Sequence, residues 1–178
     1  MPVLISLLRG INVGGNKKIK MAELRALYEA LGFTNVRTLL QSGNVVFESE
    51  NANPEQVAGQ IEAAVVERFG FESKVIIRTR DQLQAVIADH PFSADQLAEP
   101  GKLLIAFLKS EPDAQQLEAL REAHTGSEII HHRGSELYIY YPDSMGRSKL
   151  DNSFIERRLK TISTGRNWNT VNKLLALA

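Results

Sequence analysis

The residues best suited to binding a ligand lie in one glycine-rich, basic segment near the start of the chain. It combines cations, glycines and amides before any acidic residue occurs: Arg9, Gly10, Asn12, Gly14, Gly15, Asn16, Lys17, Lys18 and Lys20. Glycines adopt backbone conformations that other residues avoid, so that successive N–H groups can point at one anion. Lysine and arginine add positive charge. The segment therefore predicts a site for a small anionic or phosphorylated ligand.

The spacing within this segment disfavours the phosphate-binding loop of nucleotide triphosphatases. That loop requires a glycine, four residues, and then Gly-Lys-Ser/Thr. Counting from Gly10 places Gly15 in register, but Asn16 stands where lysine should be and Lys17 where the hydroxyl should be. A second interpretation stays open, in which the glycines only build a tight connection and Asn12 and Asn16 cap their own backbone turns.

A hairpin turn and a helix start are predicted to complete the site. The turn carries Gln41 and Asn44, whose amides are typical of a hairpin tip and can also add donors and acceptors beside the first loop. Near the end of the chain, Arg166 precedes a predicted helix and can face an anion there. Asn167 joins the predicted ligand contacts, although Asn167 or Asn169 can instead be the helix N-cap. We therefore expect a composite site if these segments lie together.

The composition is that of an ordinary globular protein: 43% of the 178 residues are apolar and 24% are charged. The chain has no cysteine, which excludes disulfides and thiolate metal sites and fits a reducing compartment. No apolar stretch approaches the roughly 20 residues that span a bilayer, and the run from Val3 to Leu8 is too short for a signal peptide. We expect a cytoplasmic protein with no membrane partner.

The net charge of zero hides a segregation of charge along the chain. Residues 1–20 carry four cations and no acid, residues 21–143 ten cations and nineteen acids, and residues 144–178 seven cations and two acids, giving +4, −9 and +5. Charge blocks of this kind often indicate an anionic partner. Alternatively, the charges are scattered in space and simply solvated.

Hydrophobic periodicity and turn signals predict the order β-α-β-β-α-β in the first half of the chain. The predicted elements are a strand over Val3–Arg9, a helix over Met21–Leu31, strands over Val36–Leu40 and Val45–Glu48, a helix capped by Asn53, and a strand over Lys74–Arg78. A further helix, capped at Thr79, is expected over residues 80–90. We take residues 1–90 as one subdomain and the proline-containing residues 91–101 as a linker.

The same order is predicted for the second subdomain, residues 102–178. Its expected elements are a strand over Leu103–Leu108, a helix over Pro112–Ala123, paired strands over Ser127–Arg133 and Glu136–Tyr141, a helix from Asp151 to Lys160, a strand over Ile162–Thr164 and a final helix over Trp168–Leu177. The fold class is therefore α+β with mainly antiparallel sheets, and it includes an architectural repeat without clear repetition of residues.

Three blocks of residues, Leu7–Gly15, Gln41–Phe47 and Arg166–Val171, together resemble a bacterial family known as domain of unknown function 1697. The resemblance spans nearly the whole chain. It implies a tandem pair of ferredoxin-like (alpha-beta plait) subdomains, the element order that periodicity also predicts. It implies no established activity, cofactor or catalytic residue.

Two other functions stay open beside ligand binding. A nucleic-acid module of the split βαβ type stacks bases on strand aromatics, and the corresponding strands here offer only Phe47, Tyr138 and Tyr140. A protein-interaction scaffold is the other. Ser148 and Lys149 are neighbours in sequence, which by itself predicts no catalytic geometry. No metal site is predicted, because metal-ligand spacing is absent among the histidines: His90, His124, His131 and His132.

Overall fold

The computed structural model describes every residue, Met1–Ala178, and comprises two compact units. The first unit contains Met1–Ala85 and Lys173–Ala178, and the second contains Val86–Asn172. The chain has seven α-helices and two four-stranded sheets, in which all neighbouring strands are antiparallel, so the fold is α+β. None of the helices combines the length and apolar character that a bilayer-spanning helix requires.

The first half of the chain follows the predicted order of elements. These are β1 (Val3–Leu8), α1 (Met21–Ala30), β2 (Thr34–Leu39), β3 (Asn44–Glu48), α2 (Pro54–Phe69), β4 (Val75–Thr79) and α3 (Arg80–Ala88). The strand order of the sheet is β2-β3-β1-β4, which puts β1 and β3 at its centre. The end of β1, the start of β3 and the start of β4 therefore share one end of the sheet.

Local capping signals define where the helices of this half begin. The side chain of Asn53 accepts a hydrogen bond from the Gln56 amide at 3.2 Å, and α2 ends at Gly70, whose φ of 78° is left-handed. At α3, Thr79 Oγ1 accepts from the Gln82 amide at 3.1 Å, and the Gln82 side chain accepts from the Thr79 amide at 2.9 Å. The helix cap predicted at Thr79 is thus confirmed, and it has the form of a capping box.

Helices α1 and α2 pack on one face of the first sheet. The fully buried residues of this core come from both layers and include Leu4, Leu8, Leu24, Tyr28, Val45, Phe47, Val57, Ile61 and Val65. One polar pair lies among them: the hydroxyls of Ser6 and Tyr28 are hydrogen-bonded at 2.6 Å. Burial strongly raises the pKa of Tyr28, so this phenol stays neutral.

The second half of the chain begins with helical structure inside the segment that we predicted to be a linker. Residues 91–101 contain α4 (Ala94–Leu97), which starts with a capping box between Ser93 and Gln96, and a 3-10 helix spans Pro100–Lys102. The following elements are β5 (Leu103–Leu108), α5 (Ala114–Ala123), β6 (Ile129–Arg133), β7 (Glu136–Tyr140), α6 (Asn152–Leu159), β8 (Ser163–Asn167) and α7 (Trp168–Leu177). The second sheet has the order β6-β7-β5-β8.

The two sheets repeat the same strand order, and β1 pairs with β3 and β4 in the same register in which β5 pairs with β7 and β8. Ile5 in β1 lies opposite Arg78 in the edge strand β4, and Ile105 in β5 lies opposite Arg166 in the edge strand β8. In both edge strands the arginine Nη1 donates to the backbone carbonyl of the preceding residue, at 3.0 and 2.9 Å. The predicted repetition of elements is therefore a repetition of hydrogen-bonded register as well.

Candidate functional site

The glycine-rich segment forms a small hairpin rather than a cradle at a helix start. Its backbone closes twice, from the Asn12 amide to the Lys17 carbonyl at 3.0 Å and from the Asn16 amide to the Val13 carbonyl at 3.0 Å. Gly14 and Gly15 form the tip, with φ angles of 59° and 79°. Two successive left-handed residues are typical of the type I′ turn, which explains the glycine pair. Space around both glycines is open.

The side chain of Asn12 joins this loop to the hairpin turn. Its amide nitrogen donates to the Ile19 carbonyl at 3.0 Å and to the Gln41 carbonyl at 2.7 Å, while its oxygen accepts from the Ile19 amide at 2.9 Å. The backbone of Asn12 is left-handed, with a φ of 55°, which asparagine tolerates better than most residues. Because its polar atoms are already engaged, Asn12 acts as a positioning residue.

Replacing Asn12 by glycine should lower the free energy of unfolding by about 1–3 kcal/mol, because the hydrogen bonds are lost while the left-handed backbone stays accessible. Urea unfolding followed by circular dichroism measures this. Asn16→Ala is the matched control, since the Asn16 side chain makes no hydrogen bond, and its cost should stay within about 0.5 kcal/mol. Equal costs for the two variants would show that the Asn12 contacts do not stabilise the loop.

The turn at residues 41–44 is packed tightly against the strand that precedes the loop. The Leu8 amide donates to the Gly43 carbonyl at 2.9 Å. A Cβ atom at Gly43 would lie 2.6 Å from Cδ1 of Ile11, so only glycine fits. Asn44 is fully buried and its side chain donates to the Leu39 carbonyl at 2.8 Å. Of the two predicted contacts in this turn, Gln41 is exposed and Asn44 has a structural role.

A third segment, residues 72–74, meets the loop, although no local sequence pattern indicates it. The Arg9 amide donates to the Lys74 carbonyl at 2.8 Å, and the Ser73 hydroxyl donates to the Arg9 carbonyl at 2.9 Å. The Lys17 ammonium donates to the Glu72 carbonyl at 2.7 Å. The available signal was topological: in an antiparallel β1–β4 pair, the residues before β4 must lie beside the end of β1.

These three segments form a surface that we call the basic edge: residues 9–20, 41–44 and 72–74. Its cations are Arg9, Lys17, Lys18, Lys20 and Lys74, and its acidic residue is Glu72. Lys17 and Lys18 are exposed, whereas Arg9 is partly buried. The Glu62 carboxylate lies 3.9 Å from the Lys74 ammonium and offsets part of its charge. The surface is therefore strongly positive at the end of the sheet where the segments meet.

The remaining predicted contacts, Arg166 and Asn167, belong to the second unit. The Arg166 side chain is 7% exposed and its Nη1 donates to the Thr164 hydroxyl at 2.8 Å. Burial lowers the pKa of this guanidinium to about 10. The Asn167 side chain accepts from the Thr170 amide at 2.8 Å and so caps α7. Their part in ligand binding stays a prediction from the sequence.

The strand aromatics considered for base stacking are mostly buried. Phe47 is completely buried beside Tyr28, with the two rings in an edge-to-face arrangement at 5.2 Å. Tyr138 is 1% exposed and donates its hydroxyl to the Val86 carbonyl at 2.6 Å. Tyr140, partly exposed, donates to Glu99 at 3.2 Å. Phe47 and Tyr138 thus offer no stacking surface of the kind that RNA-binding sheets use.

Comparison with known proteins gives the chain a structural relative. The conserved bacterial protein SP0830 from Streptococcus pneumoniae has a similar structure, with a TM-score of 0.74 over 99% of this chain and 98% of that one, at 22% sequence identity. At this identity the likeness shows the fold alone. A search of curated proteins finds no significant match to the sequence.

The sequence itself matches a family over most of its length. The match to the family described as "Protein of unknown function (DUF1697)" covers residues 1–138. These residues include the entire basic edge, whereas Arg166 and Asn167 lie beyond the matched range. The chain belongs to this family of proteins of unknown function, DUF1697.

Proposed function

We propose that the first unit binds a small anionic or phosphorylated ligand at the basic edge. The observation that carries this proposal is the hydrogen-bonded convergence of the three segments of the edge, which gathers five cations against one acid at one end of the sheet. Cations held on preorganised loops attract an anion without first having to be brought together.

We choose the proposed contacts by two criteria: the exposure of the side chain, and whether its polar atoms already make hydrogen bonds that hold the loops together. Lys17 and Lys18 are exposed and supply charge, and Arg9 adds a guanidinium close to the loop base. The open tip at Gly14 and Gly15 lets an anion approach the backbone. Gln41 offers an exposed amide at the neighbouring turn. Asn12 and Asn44 hold this arrangement in place instead of contacting the ligand.

The test is a titration of phosphate monoesters and nucleotides, together with inorganic phosphate, followed by thermal shift and calorimetry. We expect a ligand whose affinity falls about tenfold or more in Lys17→Gln/Lys18→Gln, because each charge-assisted hydrogen bond contributes about 1.5–3 kcal/mol. The matched control is Arg25→Gln/Arg80→Gln, which removes two exposed cations of the same unit: Arg25 lines a cleft with Glu48, at the end of β3, and Arg80 follows the end of β4, both at the opposite end of the sheet from the edge. Its affinity should stay unchanged.

The outcomes separate this proposal from its alternatives. Binding of no anion, or equal loss in both double variants, would contradict a site at the basic edge. Binding of single-stranded RNA with a steep, linear fall of log affinity against log salt would instead indicate a nucleic-acid partner, because contacts to several phosphates release counterions. If neither an anion nor RNA binds and the chain captures a protein partner, the result would favour an interaction scaffold.

We also infer that each unit is a ferredoxin-like subdomain. The element order β-α-β-β-α-β, the antiparallel order β2-β3-β1-β4 and its repetition as β6-β7-β5-β8 support this inference. In such a unit the connections after β1 and before β4 emerge together at one end of the sheet. The strand pairing thus fixes where the loops of the proposed site lie, but it does not fix which residues they contain.

A further inference from the structure

The second unit contains a cleft of about 440 Å³ between two connections. One wall is formed by residues 123–128, which lead from α5 to β6. The other is formed by residues 141–150, which lead from β7 towards α6, and Phe154 of α6 lies beside it. We call this the α5–α6 cleft. It has no residue in common with the basic edge.

The connection that forms the second wall is longer than the repeated architecture requires. Residues 141–151 link β7 to α6 with eleven residues, whereas residues 49–53 make the corresponding link from β3 to α2 with five. Loops tolerate such additions readily, and binding residues are often found on them because the sheet and helices keep the loop ends fixed. The extra residues include Arg147, Ser148 and Lys149.

A polar network ties the long connection to the opposite wall. The Ser148 hydroxyl donates to the Glu128 carboxylate, and the other oxygen of that carboxylate lies 3.4 Å from Nε2 of His124. The side chains of Glu128 and His124 are only 10% and 15% exposed. The hydrogen bond from Ser148 lowers the pKa of Glu128, which favours the carboxylate. The connection is therefore held across the cleft by partly buried polar contacts.

The acidic groups of the cleft already have hydrogen-bond partners, and its cations do not. Glu128 has Ser148 and His124 as partners, and Asp143 accepts from the Ser127 hydroxyl at 2.7 Å. By contrast, two exposed cations of the long connection line the cleft without a hydrogen bond or an ion pair: Arg147 and Lys149. A ligand group that enters the cleft meets unpaired positive charge.

Apolar side chains lie behind these cations. Tyr141 and Leu150 are each 3% exposed and line the cleft, and the Tyr141 hydroxyl is directed to the Leu150 carbonyl at 2.8 Å. Phe154 is partly exposed and lies beside them, with the Arg158 guanidinium 5.2 Å from its ring centre. A flat apolar group can pack here while a charged end reaches the two cations.

We propose that the α5–α6 cleft is a second ligand site of this chain, and that it takes a small organic anion with an apolar ring. Arg147 and Lys149 bind the anionic group, and Phe154 with its apolar neighbours receives the ring. The network of Ser148, Glu128 and His124 holds the long connection in the geometry that binds. This site does not depend on the proposed function of the basic edge.

The test uses phenyl phosphate, inorganic phosphate and benzyl alcohol as probes, with two-dimensional ¹H–¹⁵N NMR of the full chain to locate binding. Phenyl phosphate should shift the amide signals of residues 124–128 and 143–150, and it should bind more tightly than either other probe. The affinity for phenyl phosphate, determined from the shifts of these signals, should fall about tenfold or more in Arg147→Gln/Lys149→Gln. The control Arg133→Gln/Arg157→Gln removes two exposed cations of the same unit that do not line the cleft, and it should bind as the wild type does.

Because the two proposed sites lie in separate segments, the spectra distinguish them. Shifts confined to residues 9–20, 41–44 and 72–74 would overturn the cleft proposal and leave the basic edge standing. Phenyl phosphate that shifts neither region of the cleft would overturn it as well. If benzyl alcohol binds as tightly as phenyl phosphate, recognition of the anion by Arg147 and Lys149 would be contradicted. Equal affinity of the two double variants for phenyl phosphate would contradict it as well.

Discussion

Replacing Gly43 by alanine is expected to lower the free energy of unfolding by about 2–5 kcal/mol. The φ angle of Gly43 is 82°, a left-handed conformation that costs an alanine about 1–2 kcal/mol. The new Cβ would also lie 2.6 Å from Cδ1 of Ile11 and 2.9 Å from Cβ of Leu8, both fully or almost fully buried, and overpacking of this kind typically costs about 1–3 kcal/mol. Urea unfolding measured by circular dichroism gives the difference.

Gly14→Ala is the control for this prediction, because Gly14 has a φ angle of 59° and no atom within 4 Å of the position of a Cβ. It should show the backbone cost alone. Combining Gly43→Ala with Ile11→Val removes the methyl group that collides and should recover part of the loss. If Gly43→Ala costs no more than Gly14→Ala, the turn does not pack against Ile11 as described.

The second large effect is a loss of stability in alkali. Burial strongly raises the pKa of three tyrosines, Tyr28, Tyr138 and Tyr141. The unfolded chain releases these protons near pH 10, whereas the folded chain keeps them, so the folded state binds more protons above that pH. The free energy of unfolding therefore falls as the pH rises above about 10, by up to about 1.4 kcal/mol per pH unit for each tyrosine.

Urea unfolding between pH 8 and 11.5 tests this dependence. Arg166 acts in the opposite direction, since burial lowers its pKa to about 10 and the unfolded chain then binds the extra proton, but the three strongly shifted tyrosines outweigh this one group. The variant Ser6→Ala/Tyr28→Phe removes both partners of the buried hydroxyl pair and should lose stability less steeply in alkali. A slope equal to that of the wild type would exclude Tyr28 as a source of the effect.

Features with local causes could be predicted from the sequence. The capping residues Asn53, Thr79 and Asp151 lie within three residues of the amides they cap, so short sequence patterns contain the whole signal. Hydrophobic periodicity and turn signals likewise indicated the order of elements in both halves. The helix inside residues 91–101 was missed because two prolines and a glycine indicated a linker, although Ser93 and Gln96 form a capping box there.

Features that depend on distant partners could not be predicted. The Asn12 amide donates to the Gln41 carbonyl, 29 residues away, and no local pattern contains that pairing. Glu128 and Ser148 are 20 residues apart and meet only when the long connection is folded. The glycine pair was compatible with an anion cradle and with a tight connection, because both use left-handed residues, and its closure as a type I′ turn is visible only in the backbone hydrogen bonds.

The division of the chain has a consequence for the order in which a newly made protein can fold. Strands β1 to β4 are all present once residue 79 has been synthesised, so the first sheet can pair early. Lys173–Ala178 nevertheless belong to the same unit, and the Arg37 guanidinium donates to the carbonyl of Leu177, 140 positions later. The unit that starts first on the ribosome thus acquires its last contacts only after the entire second unit has been translated.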